Sequence, residues 1–186
     1  MPLPIAHSLV GAGVAALSRP QNSLKRDWRV LLLAAFLAVT PDFDFFLIWA
    51  GISGHEAHRG PTHSILFALA VTLLLAISAG FSYLRSVLAC GAALLSHGIL
   101  DFLTTRQGRG VELLWPFSDE RLKLGVIGFS EFPHGFHLLE IVKSSLIELI
   151  VFAPLLLAML LIREYWSQAS ALRETQFNNS FNPPPG

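Results

Sequence analysis

Ionisable side chains set inside apolar runs constrain this chain more than any other feature. Val30 to Trp49 and Thr62 to Tyr83 are each long enough to cross the ~30 Å hydrocarbon layer of a bilayer. At their junction stands His58-Arg59-Gly60-Pro61-Thr62-His63-Ser64, with two imidazoles and a guanidinium. Pro41-Asp42-Phe43-Asp44 places two carboxylates within the first run, and Ser96-His97-Gly98-Ile99-Leu100-Asp101 places an imidazole and a carboxylate late in another. A charged carboxylate at the centre of such a run costs ~2.5 to 3.5 kcal/mol on insertion scales. A chain that keeps several must gather them on compensating partners.

Composition agrees with a membrane protein. Hydrophobic residues make up 53% and charged residues 14%, with a mean hydropathy of +0.55, whereas a soluble domain carries roughly 25% charged residues. Basic and acidic residues balance at 13 each, so no basic field exists to attract nucleic acid, and none is expected as a partner. Cys90 is the only cysteine, which excludes an intrachain disulfide and a thiolate zinc site. Any metal must be held by nitrogen and oxygen. The first apolar run has no Lys or Arg before Arg19, so it lacks the basic flank of a secretory signal and is read as retained.

The pattern predicts an all-α, polytopic membrane helix bundle of about five transmembrane helices, with a metal site near one membrane face. The segments are Leu3 to Ser18, Val30 to Trp49, Thr62 to Tyr83, Val87 to about Thr105, and Ser144 to Ile162. One membrane-embedded domain covers residues 1–165, with a polar and interfacial loop over 106–142, and residues 166–186 are expected to be disordered. Gly11, Ala12, Gly13, Ala15 and Ala16 let another helix approach the first closely. Pro41 should kink or unwind the second. An extended backbone there would put Asp42 and Asp44 on one face, whereas a helix would send them apart. Pro61 opens the third helix, so His63 lies in a first turn whose free amides favour an anion such as phosphate. His97 and Asp101 are four apart, stacked on one helical face. In the loop, Trp115, Phe117, Phe129, Phe132 and Phe136 suit a bilayer interface, and His134 and His137 are read as interfacial there. Glu140 reads as solvated, while Glu148 lies about a turn inside the last helix.

Alternating five helices across the bilayer places His7, Asp42, Asp44, His58, Arg59, His63, His97, Asp101 and Glu148 on one side. Arg19, Lys25, Arg26, Arg29 and Arg85 fall on the other. Three buried aspartates against one arginine call for one or two divalent cations. Imidazole with carboxylate suits zinc, manganese or iron, with zinc the choice here.

Taken as an ordered set, His7, Pro41-Asp42-Phe43-Asp44, His58 to Ser64, Ser96-His97 with Asp101, and Trp115-Pro116-Phe117 resemble the bacterial inner-membrane metal-dependent hydrolases of the YdjM type. That group is usually placed with the zinc-dependent phospholipase C and single-strand nuclease enzymes. The likeness covers about residues 1 to 150. It implies a multi-pass inner-membrane location and a metal site of His7, Asp42 and Asp44, His58 or His63, and His97 with Asp101, with His134, Glu140 or Glu148 standing in for later ligands. The expected function is a membrane-bound metal-dependent hydrolase, a phosphoesterase acting on a lipid or lipid-linked phosphate. Arg59 would stabilise developing charge, and Asp42 or Asp44 would serve as general base. A serine nucleophile is not expected, because Ser64 and Ser96 neighbour their histidines in sequence and so point elsewhere on a helix. An ion or metal transporter, or a structural membrane protein stapled by metal, is the alternative.

Overall fold

The computed structural model describes residues 4–20, 24–106, 109–126 and 138–181, and its described elements are helical apart from one isolated bridge, Val111 to Leu122. Six α-helices follow in order: α1 Pro4–Leu17, α2 Leu24–Leu37, α3 Asp44–Trp49, α4 Ile65–Ala79, α5 Leu84–Thr104 and α6 Leu138–Phe181. Short 3-10 turns at Thr40–Phe43, His55–Ala57, Pro61–His63 and Phe81–Tyr83 join them.

Small residues decide the packing. Ala6, Gly11, Gly13, Ala15 and Ala16 of α1 are buried. A methyl group added at Gly11 would overlap Ala38 Cβ, and one at Gly13 would overlap Met159 Sδ. α1 therefore lies directly against α2 and α6, as its run of small side chains predicts. Ala15, Ala34, Ala38, Ala89, Cys90 and Ala93 form the buried apolar cluster where α1, α2 and α5 meet.

The helices alternate in direction. The start of α1 meets the start of α6, where the Ala6 amide donates to Glu148 Oε2 at 3.2 Å. The end of α1 meets the beginnings of α2 and α5: Arg19 donates to Asp27 at 3.0 Å and to Ser86 at 2.7 Å. Arg163, late in α6, reaches the same Asp27 at 3.5 Å. His7, Asp42, Asp44, His58, His63, His97, Asp101 and Glu148 therefore sit at one end of the bundle, as alternation requires.

Spanning capacity is smaller than expected. α5 and the Leu139–Phe177 part of α6 are long and apolar enough to cross a bilayer, and α2 with the segment Thr40–Trp49 adds a third span only if its 43° bend is taken as one broken helix. α1 and α4 have 14 and 15 residues, about 21 and 22 Å at 1.5 Å per residue, against a ~30 Å hydrocarbon core. They are shorter apolar helices within the bundle, so among the described residues two helices, or three with the bent pair, have the length and apolarity of a span, against the five expected. The predicted third helix is shortened at both ends, by the 3-10 turn at Pro61 and by Gly80, whose φ of 82° ends α4.

Residues 166–181, expected to be disordered, continue α6 to Phe181. Ala169, Ala171, Leu172, Arg173 and Glu174 are strong helix formers, and Gln168 donates to Glu164 one turn back at 3.3 Å. Pro154 is accommodated inside the same helix.

Candidate metal centre

Pro41 removes a helical donor, and the chain answers with a 3-10 turn in place of the extended segment expected there. Asp42 ends up in that turn and Asp44 opens α3. In a helical backbone the two carboxylates diverge, and they serve two neighbouring groups of side chains. Asp42, His63, His97 and Asp101, all buried, each offer a ligand atom within 4.8 Å of the others; Asp44, His58 and His63 form a second such group.

His63 joins the two. Its Nε2 lies 3.4 Å from Asp42 Oδ1 and 3.7 Å from Asp101 Oδ2. Its Nδ1 faces Thr62 Oγ1 at 3.0 Å and Asp44 Oδ2 at 3.8 Å. His97 Nδ1 sits 2.7 Å from the carbonyl oxygen of Ala38. That carbonyl can only accept, so Nδ1 carries a proton and Nε2, 3.4 Å from Asp42, is the nitrogen left to face a cation. Metal-binding imidazoles are held by outer partners in this way. His58 is held similarly, with Nδ1 2.9 Å from Asp44 Oδ1 and its ring 4.0 Å from that of Phe45. His7 stacks on His97 with centroids 3.8 Å apart and points Nε2 at Asp101 Oδ1, 3.4 Å away.

The inward atoms fit a cation. His7 Nε2, Asp42 Oδ1, His58 Nε2, His63 Nε2, His97 Nε2 and both Asp101 oxygens are buried without a hydrogen-bond partner. Buried polar atoms left so cost about 1 to 3 kcal/mol each, and several converging nitrogen and oxygen donors are what a divalent ion takes up.

Arg59 is the one residue other than glycine with positive φ among those described, at 63°. Left-handed backbone is unfavourable for a side chain with a Cβ. Here it lets the Arg59 amide donate to Asp44 Oδ2 at 3.3 Å while the guanidinium reaches Asp101, with Nε 3.4 Å from Oδ2. Arg59 is thus a buried counter-charge at the edge of the group.

The segment carrying His58 and His63 is clamped from above by the described part of the loop, residues 109–126. Glu112 donates its amide to the Arg59 carbonyl at 3.0 Å, Arg121 reaches the His58 carbonyl at 3.0 Å, and Ile65 donates to Leu113 at 3.0 Å. Arg121 also pairs with Glu112 at 2.7 Å.

Several expectations change here. Ser64, rather than a residue at Pro61, caps α4, and its Oγ accepts from the Phe67 amide at 3.1 Å. The Ile65 amide donates to Leu113 and the Phe67 amide to Ser64, so two of the first-turn amides anticipated as a phosphate cradle beside His63 are already in use. Glu148 caps α1 through the Ala6 amide and lies outside both ligand groups. Ser64 and Ser96 donate to the Pro61 and Ala93 carbonyls at 2.8 and 2.7 Å, which leaves neither as a nucleophile beside an imidazole. His134, His137, Phe129, Phe132 and Phe136 lie outside the described residues. Four contributors escaped sequence reasoning: the Ala38 carbonyl, Thr62, Phe45 and Gly98. Of these only Gly98 had a signal, a glycine directly after His97; a methyl group there would overlap the His63 carbonyl oxygen.

Fold and site together define a polytopic, all-helical membrane protein with a buried histidine and aspartate centre at one end of its bundle. The chain belongs to the YdjM inner membrane protein family, whose family model matches residues 1–171. It is 35% identical over 131 residues to inner membrane protein YbcI of Escherichia coli (strain K12), a match covering 65% of this chain and 71% of that protein. No solved structure matches it. The protein is accordingly an inner-membrane protein.

Proposed function

We propose that the protein is a metal-dependent hydrolase of the inner membrane, a phosphoesterase whose substrate is a lipid or lipid-linked phosphate entering from the bilayer. The observation that carries this reading is the convergence of Asp42, His63, His97 and Asp101, all buried and within 4.8 Å of one another. Those four residues, with His7, His58 and Asp44 around them, would hold one or two divalent ions, zinc being the choice for imidazole with carboxylate. A divalent ion bound there supplies Lewis acidity and lowers the pKa of a coordinated water.

The chain's own residues do the rest. Ala38, through its carbonyl, keeps His97 in the tautomer that binds. One carboxylate, Asp42 or Asp44, serves as general base instead of ligand and accepts the proton released as water attacks phosphorus and the lipid alcohol leaves. Arg59, fixed between Asp44 and Asp101, offers its remaining guanidinium hydrogens to the equatorial phosphoryl oxygens. Exposed Phe43 and Phe46 flank the two aspartates on the lipid-facing side of the turn, an apolar approach suited to an acyl or prenyl chain.

An ion pathway is the less favoured reading. Conduction needs polar groups at successive depths, whereas Ala15, Ala34, Ala38, Ala89, Cys90 and Ala93 pack the interior beyond the centre.

The test is elemental analysis of detergent-purified protein, wild type beside His97→Ala and Asp42→Ala, with phosphatase and phospholipid hydrolysis assays on the same samples. One or two bound ions, lost in both variants together with hydrolysis, is the expected result. A wild type that stays free of stoichiometric metal in metal-replete medium would overturn the proposal. Metal without hydrolysis would favour the structural staple.

A further inference from the structure

The bundle end opposite the imidazoles is built differently. Asp27, buried in α2, is claimed twice: Arg19 Nη2 lies 3.0 Å from Oδ1, and Arg163 Nη2 lies 3.5 Å from Oδ2. With that acid neutralised, Lys25, Arg29 and Arg85, all exposed, leave this end of α2 and α5 positive. Glu164 belongs to α6, which packs on α1.

Between α2, α4 and α5 at this end runs a groove of about 250 Å³. Its walls are apolar, from Val30, Leu33, Leu75, Ala79, Val87 and Cys90, while Arg29, Tyr83 and Ser86 supply the polar part of its lining. Arg29 is exposed, with its guanidinium over the Trp28 ring at 5.3 Å. Ser86 accepts from Arg19 at 2.7 Å, which leaves its own hydroxyl hydrogen available to donate.

We propose that this groove binds one anionic phospholipid, with an acyl chain along Leu33, Leu75, Val87 and Cys90 and the phosphate held by Arg29, Tyr83 and Ser86. Apolar walls alone would take any lipid. The positive end selects for a negative headgroup, because basic residues near a bilayer surface attract anionic lipid and basic pockets between membrane helices bind such headgroups. This site is separate from the candidate metal centre and needs no hydrolytic activity.

Native mass spectrometry of the full chain in detergent tests it, with phosphatidylglycerol or phosphatidylcholine of identical chains added. The expected result is one retained phosphatidylglycerol per chain and weaker retention of phosphatidylcholine. Arg29→Gln should lower phosphatidylglycerol affinity about fivefold, the effect of one basic side chain at an anionic surface. Lys25→Gln removes the same charge from α2 outside the groove and should have a smaller effect. Ala79→Phe, which fills the groove without changing charge, should abolish retention. Arg29 and Lys25 are surface side chains, so both variants should fold, as thermal melts will register. Equal retention of the two headgroups, or equal losses in Arg29→Gln and Lys25→Gln, would overturn the site in favour of general surface attraction.

Discussion

Gly98→Ala should disable the candidate metal centre without touching any of the residues proposed to hold the ion. Gly98 sits on α5 between His97 and Asp101, where an added methyl would overlap the His63 carbonyl oxygen and stand 3.1 Å from Leu113 Cδ2. Ordinary non-bonded separations are about 3.5 Å, so the His63 backbone must retreat from α5 by about 1 Å. Metal sites tolerate errors of about 0.2 Å in ligand distance. The strain costs about 1 to 3 kcal/mol as overpacking, offset by about 1 kcal/mol from replacing a mid-helix glycine. The fold should therefore survive with a slightly lower melting temperature. Metal affinity should fall about 10- to 100-fold, as when the support of a ligand is lost. Competition against a chromophoric chelator measures it, with melting curves recorded alongside. If Gly98→Ala binds metal as tightly as wild type, His63 is not a ligand held by its contact with α5, and the four-residue centre is wrongly drawn.

Other perturbations separate support from chemistry. Glu148→Ala removes the acceptor for the Ala6 amide and should cost about 1 to 2 kcal/mol in unfolding free energy while leaving metal stoichiometry intact; loss of metal would restore Glu148 as a ligand. Ser64→Ala should cost about 1 kcal/mol through the lost α4 cap and leave any phosphoesterase turnover in place, so a complete loss of turnover would revive a serine nucleophile. Asp27→Ala removes the carboxylate that Arg19 and Arg163 share and should destabilise by about 3 to 5 kcal/mol. Adding Arg163→Met to it should recover part of that in chemical denaturation, because the more deeply buried of the two charges is gone.

Much of the site could be read from the chain because the bilayer makes charge expensive. Asp42, His63, His97 and Asp101 stood out for lying in or at the edge of apolar runs, and counting helix reversals put them at one end, where the structure has them. The small residues of α1 likewise announced its central position, since only they allow backbones so close. Helix limits were less legible. α4 is short because Ser64 caps it after a 3-10 turn, and α6 is long because residues beyond Trp166 favour helix while being polar enough to read as a tail.

The sequence by itself determined the all-helical membrane class, the inventory of nitrogen and oxygen donors, and the end of the bundle that carries them. These follow from local periodicity and from the cost of burying charge. Tertiary structure alone decided how the donors are divided. A single 3-10 turn at Pro41 sends Asp42 to His97 and Asp44 to His58, a carbonyl 59 residues away in the chain fixes the tautomer of His97, and Glu148 is diverted to the start of α1. Ligand geometry depends on contacts between segments distant in sequence, and no spacing within one helix encodes which atom a neighbouring helix will present.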